Sequence, residues 1–264
     1  MSEHPKNAPW EVIAVRYGTR ATTKGGVYLN YGQYGEADGP LQMDYFFWIL
    51  RNAQETIVID TGFSAAAGER RRRQMTMAPA QALAQLGIDP ATVKRLVLTH
   101  AHWDHTGNLD LFPNAQILMS RTELAFIGSD VAHRPMLANV MDEDDNRFIL
   151  QLAAQGRVTP FDHEDRSIEN VVLRELPGHA PGQIAVIVER PEGNVILSSD
   201  VTHYYDELAH DRPFNVFTDL IAMYRSLETL RGLAAQPGAV VVPGHDPEVM
   251  QRFPAIGDFA VRVA

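Results

Sequence analysis

The chain has 264 residues, enough for one large domain or two small ones around a substantial buried core. Its 33 acidic residues against 23 basic ones leave a net charge of −10, which disfavours nucleic acid or an anionic membrane as a partner. The absence of cysteine excludes disulfides, thiolate metal ligation and a cysteine nucleophile.

Residues 1–9 read as a loose tail without the charged-then-apolar pattern of a signal peptide. No apolar run reaches the roughly 20 residues that span a bilayer, so a cytoplasmic location is expected. Glu11 to Tyr17 and Gly26 to Leu29 read as strands on either side of a polar turn. Met43 to Leu50 is bulky and β-favouring. With Glu55 to Ile59 after a turn at Asn52, it predicts an antiparallel hairpin ending in Asp60-Thr61-Gly62. Arg70 to Arg73 reads as a solvated face, with the gripping of an anionic substrate as the alternative. Pro79 to Leu86 predicts a short helix stopped by Gly87, and Asp89-Pro90 caps another before the apolar strand Arg95 to Thr99.

Ala115 to Met119 predicts a strand and Arg121 to Phe126 a helix. Residues 127–157, with Pro135 and the acidic cluster Asp142 to Asp145, break this rhythm. They read as an insertion near the site or as surface decoration, with a helix from Arg147 to Ala154. Strands return at Val171 to Leu176, Gln183 to Val188 and Asn194 to Ser198. Leu220, Met223, Leu227 and Leu230 recur at helical spacing and place a helix over Asp219 to Arg231. Ala239 to Val242 is the last strand. Strands first, then strands mixed with helices twice, predict a single domain over 1–264 built of two packed sheets with helices outside.

The strand ending at Thr99 leads into His100-Ala101-His102-Trp103-Asp104-His105. Three imidazoles and a carboxylate on one loop would repel and desolvate each other if merely packed. A divalent cation takes neutral imidazole and ionised carboxylate as its ordinary ligands. Three more polar residues stand directly after apolar strands: His179 after Pro177-Gly178, Asp200 after Ile196 to Ser199, and His245 after Pro243-Gly244. Tight turns at strand ends let a rigid sheet aim distant side chains at one point. Five histidines and two carboxylates exceed the about four ligands of one zinc. They predict two metals about 3.5–4 Å apart, sharing a carboxylate. The donors suit Zn2+, and Mn, Fe or Co also accept them.

The pattern His100-x-His102-x-Asp104-His105, followed by His179, Asp200 and His245, resembles the metallo-β-lactamase superfamily. The resemblance implies an α/β fold, an αββα sandwich of two mixed β-sheets with helices on the outer faces and a dinuclear site at one edge. It implies His100, His102 and His179 on one metal, Asp104, His105 and His245 on the other, and Asp200 bridging, with Asp60 supporting a ligand histidine from behind. Hydrolysis by a metal-bridging hydroxide follows, with Asp104 passing a proton to the leaving group.

Within the superfamily, the stretch after Asp200 is most similar to the quorum-quenching N-acyl homoserine lactonases. These place a tyrosine three residues beyond the bridging aspartate, against the lactone carbonyl. Here that position is His203, so Tyr204, then His203, is the expected contact. The expected reaction opens a lactone ring, with N-acyl homoserine lactone as the leading substrate. The alternative is another small ester, amide or carbamate, including lactones of aromatic catabolism, and further off a glyoxalase II-like thioester. Phe47, Phe126, Met136, Phe214 and Phe217 are candidate pocket walls. A small molecule is the expected partner, without nucleic acid or membrane, and a homodimer is compatible with the chain.

Overall fold

The computed structural model describes residues 9–264, so the expected tail lies, apart from Pro9, outside the described residues. Seven strands come first: β1 (Glu11–Thr23), β2 (Pro40–Arg51), β3 (Thr56–Ile59), β4 (Gln74–Met75), β5 (Arg95–Val97), β6 (Gln116–Ser120) and β7 (Val158–Phe161). A second set follows: β8 (Glu164–Ile168), β9 (Val171–Glu175), β10 (Ile184–Val188), β11 (Val195–Ser199) and β12 (Val240–Pro243). The terminal β13 (Ala255–Ile256) and β14 (Ala260–Arg262) return to the first sheet. That sheet runs β13-β14-β1-β2-β3-β5-β6-β7 with β4 beside β1, and the second runs β12-β11-β10-β9-β8. Both are mixed. β3, β5, β6 and β7 pair in parallel, as do β11 and β12, while β1, β2 and β3 are antiparallel.

Period-2 alternation explains the layers. Tyr45, Phe47 and Ile49 of β2 face a cluster covered by helices. Phe46, Trp48 and Leu50 face the other way, against Leu173, Ile184, Val186 and Leu197 of the second sheet. The outer face of the second sheet is closed by Leu230 of the helix Leu220–Ala234, packed with Val172, Ala185, Ile187 and Ile196. The result is the αββα sandwich that the resemblance implies: two mixed sheets face to face, helices outside.

Three expectations change. β1 continues to Thr23, and residues 26–29 form turns with a lone bridge from Tyr28 to Phe214. There the N–H groups of Val27 and Tyr28 both fold back onto the Lys24 carbonyl. The helix expected from Arg147 begins at Glu143. Asp142 caps it, and its acidic first turn suits the positive end of the helix dipole. The Arg70 to Arg73 run is not simply a solvated face: Arg70 pairs with Asp142 at 2.5 Å, and Arg71 donates to the Asn139 and Met141 carbonyls. Among the described residues no helix is long and apolar enough to cross a membrane.

Candidate metal centre

Four chain segments leave the strand ends at one edge of the sandwich. The loop after β5 carries His100 and His102, and the short helix Trp103–Thr106 carries Asp104 and His105. The turns after β9, β11 and β12 bring His179, Asp200 and His245. Two glycines permit this convergence. A Cβ on Gly178, at φ +133°, would lie 2.2 Å from the Met223 nitrogen, and one on Gly244 would lie 2.6 Å from Asp200 Oδ1.

All seven side chains are buried. Asp200 sits at the centre. Its carboxylate is 3.4 Å from His105 Nε2, 3.2 Å from His179 Nε2, 3.2 Å from His245 Nε2 and 3.8 Å from His100 Nε2. Asp104 Oδ2 lies 3.9 Å from His105 Nε2 and 3.8 Å from His245 Nε2. Three groups have ligand atoms within 4.8 Å of one another: His100, His102, His179 and Asp200; Asp104, His105 and His245; and Asp200, His203 and His245. Burial lowers His100, His102 and His179, helped at His100 by His105 and at His102 by His179, so these rings favour the neutral form that ligates.

The backs of the rings are tied down. The Nδ1–H of His179 donates to the Val216 carbonyl at 2.9 Å, and that of His245 to the Asp44 carbonyl at 2.8 Å. A carbonyl only accepts, which leaves each Nε2 with a free lone pair facing the cluster. Asp60 lies 2.8 Å from His105 Nδ1 and also accepts from the Thr99 N–H and hydroxyl. Against these satisfied backs, the buried Nε2 atoms of His100 and His105 and Oδ1 of Asp200 have no hydrogen-bond partner among the described residues. Buried polar atoms left this way are costly, and a cation among them satisfies several at once. The donor set fits divalent metal.

His203 and Tyr204 part company. The His203 ring is buried, with Nε2 3.1 Å from Asp200 Oδ2 and Nδ1 3.2 Å from Glu207 Oε2. It stacks on Phe214 at 3.6 Å between centroids. Burial opposes its protonation, but Asp200 and Glu207 outweigh this and push it up to about 9. The Tyr204 hydroxyl instead donates to the Gln42 carbonyl at 3.2 Å, and its ring meets Tyr28 edge-on. His203 lines the cleft over the cluster, with Phe214, Trp103, Tyr45 and Met43; Tyr204 is not among its lining residues. Of the five candidate walls only Phe214 lines that cleft, while Phe47 is core and Met136 is exposed at the surface. The cleft holds about 260 Å³. Asn139 and Val140 bring the 127–157 segment to its rim.

Sequence reading missed two residues that hold the loops. Glu123, fully buried, accepts from the Ala101 N–H at 3.0 Å and from the Gly182 N–H at 2.7 Å, joining the loop of His100 and His102 to that of His179. Tyr17 donates its hydroxyl to the Asp104 carbonyl at 2.6 Å. A Ser-x-x-Glu capping pattern at Ser120 was the available signal for Glu123; Tyr17 carries none.

A family model for the metallo-beta-lactamase superfamily matches residues 44–245. The N-acyl homoserine lactonase AttM of Azorhizobium caulinodans is 33% identical over 171 residues, 64% of this chain and 64% of AttM. The match thus spans just under two thirds of that relative's own length. The N-acyl homoserine lactonase AiiA of Bacillus thuringiensis subsp. kurstaki is 22% identical over 223 residues, 79% of this chain and 83% of AiiA. A crystal structure of a quorum-quenching N-acyl homoserine lactone lactonase superposes with a TM-score of 0.78 at 19% identity, covering 96% of this chain and all of the other. At that identity the superposition speaks to the fold.

Proposed function

The chain belongs to the metallo-beta-lactamase superfamily, and from that membership we propose that it is a metal-dependent hydrolase that opens a lactone ring, with N-acyl homoserine lactones the first substrates to assay. The reading rests on one observation: buried, unpaired Nε2 and Oδ atoms converge at the floor of a cleft. His100, His102 and His179 would hold one divalent cation and Asp104, His105 and His245 a second, with Asp200 between them and zinc the metal the donors suit best. Such a pair supplies Lewis acidity, which activates water at neutral pH and polarises a carbonyl.

The chain's own groups do the rest. Asp60 and the carbonyls of Asp44 and Val216 keep the ligating rings in one tautomer and orientation. Asp104 accepts the proton of the attacking water and delivers it to the ring oxygen as the C–O bond breaks, leaving a hydroxy acid. His203, held through Nδ1 by Glu207, presents Nε2–H to the substrate carbonyl, the place a tyrosine takes in the lactonases the sequence resembles. The closeness to AttM and AiiA supports the lactone as substrate. The small size of the cleft favours a second reading, hydrolysis of another compact ester or amide.

The test measures acid release from a lactone panel by metal-replete protein beside His102→Ala, with bound metal counted per chain. Two metals and ring opening by the intact protein alone support the proposal. Two metals without acid release move the assay to esters and amides, and fewer than two metals overturn the dinuclear assignment.

A further inference from the structure

The cleft carries positive charge that the hydrolytic chemistry does not use. Arg20, Arg71 and Arg73 line it beside Tyr45, His203 and Asp200, in a chain whose net charge is −10. Among the described residues Arg70 takes Asp142 as ion partner, whereas Arg20, Arg71 and Arg73 have no carboxylate within ion-pair distance.

The three guanidiniums differ in what they already hold. Arg71 is a strut: its terminal nitrogens donate to the Asn139 and Met141 carbonyls, and it lies 4.8 Å over the Trp103 ring. Arg73 donates from Nε to the Tyr45 hydroxyl at 2.8 Å and from Nη1 to its neighbour Arg71's carbonyl at 2.5 Å. Its Nη2 makes no hydrogen bond among the described residues. Arg20 makes none at all among them, and its Nε is buried. Both side chains reach the Tyr45 hydroxyl electrostatically: burial and Asp104 raise that group, and Arg20 and Arg73 pull it back.

Arg20 reaches this cleft through a defect in β1. Arg16 pairs with Phe46 and Gly18 with Tyr45, so Tyr17 is one residue too many. Such a bulge reverses the alternation beyond it. Val12 and Ala14 face the interior between the sheets, and unbroken alternation would send Arg20 there too. With the bulge, Arg20 pairs with Met43 and shares the face of Met43 and Tyr45. Strand geometry thus delivers an unpaired guanidinium to the cleft.

We propose that Arg20 and Arg73, beside the Tyr45 hydroxyl, form a seat for a small oxyanion carried by the substrate, so that the ester or lactone hydrolysed here bears a carboxylate or phosphate away from its scissile carbonyl. The inference rests on the hydrolase reading above and narrows its substrate class, away from the uncharged N-acyl homoserine lactones. A guanidinium fork matches either oxyanion, and the phenolic hydroxyl adds a donor. A cleft of about 260 Å³ suits a compact, charged molecule better than a long acyl chain.

The test compares three matched γ-lactones on metal-replete protein: one with a carboxylate, one with a phosphate, and the uncharged methyl ester of the first. KM for a charged lactone is expected at least about tenfold below that of the ester, as for a hydrogen bond to a charged group. Whichever oxyanion gives the lower KM is the one the seat fits. The advantage should collapse in Arg20→Gln and Arg73→Gln, with kcat for the charged lactone falling less than KM rises and metal content kept. Arg20→Lys should restore part of it. Calorimetry with glutarate and butyrate gives a readout without turnover: the dicarboxylate should bind more tightly, and Arg20→Gln should erase the difference. An ester hydrolysed as well as the charged lactones, with glutarate binding no better than butyrate, overturns the seat. If no lactone opens, the lactone reading fails, and calorimetry alone decides the seat.

Discussion

The bodies of the strands and their ends follow opposite rules. β5 buries Leu96 and Val97 and leads to His100; β11 buries Val195 and Leu197 and leads to Asp200. Between the sheets, apolar side chains from both layers satisfy one another within the chain. A few residues further on, imidazoles and carboxylates are equally buried, yet the facing Nε2 atoms of His100 and His105 and Oδ1 of Asp200 lack partners among the described residues. The core carries stability, and the edge is held in place from behind, by Asp60, Glu123, Tyr17 and backbone carbonyls. Stability and metal binding should therefore be separable by mutation.

Asp200→Ala attacks the edge and should have the largest effect. The carboxylate faces the ring nitrogens of five histidines, so its loss should remove most bound metal. Activity should fall beyond the about 100-fold that marks the upper range for an outer partner of a ligand. The metal-free variant should still fold by circular dichroism, because the layer between the sheets is untouched. Wild-type metal content and turnover would show that the edge does not depend on its centre. Leu50→Ala is the converse. Leu50 is fully buried between the sheets, and its truncation should lower stability by about 2–5 kcal/mol, measured by denaturant unfolding. Metal per folded chain should stay at the wild-type value, and a loss of metal in step with stability would deny the separation.

Glu123 joins the two regions. Burial pushes it up to about 7 from 4.5, against the pull of its two backbone hydrogen bonds. Between those values the folded chain holds a proton that the unfolded chain has released. Stability from this group is therefore fully present below about pH 4.5 and falls as pH rises towards 7, by up to about 1.4 kcal/mol per pH unit. In Glu123→Gln one of the two N–H donors meets an amide NH2 instead of an oxygen. The variant should be less stable than wild type by about 1–3 kcal/mol at pH 5, narrowing towards pH 8. A difference independent of pH would mean that Glu123 is ionised throughout.

What was legible in the chain follows the same division. The proposed ligands stood out because four of them crowd into six residues and the others follow strand ends, two of them behind a Pro-Gly turn. β2 and β3 were readable because bulky residues run unbroken up to a polar turn. The supports at the back were not. Tyr17 and Asp104 are 87 positions apart, and Glu123 and Gly182 are 59 apart. The partners of His179 and His245 are main-chain carbonyls, which have no side-chain signature. β4 and β13 have two residues each, too few to show alternation. Arg20 was hidden because the bulge at Tyr17 reverses the parity by which its side would be assigned.

The smallest expected effect separates two neighbours. Tyr204→Phe removes a hydroxyl whose hydrogen bond goes to the Gln42 carbonyl, worth about 0.5–1.5 kcal/mol of stability. Its ring remains packed on Tyr28. His203→Asn removes the ring that faces Asp200, lies on Phe214 and takes its orientation from Glu207, itself fully buried. If the edge acts through groups that face the cleft, kcat should fall far more in His203→Asn than in Tyr204→Phe, and only the histidine variant should alter the site's metal spectrum after cobalt substitution. Loss of a hydrogen-bond donor to a developing oxyanion lowers kcat by about 10²–10³. A drop of that size in Tyr204→Phe would return the hydroxyl to the substrate carbonyl, and the division between core and edge would then pass between residues 203 and 204 in the opposite sense.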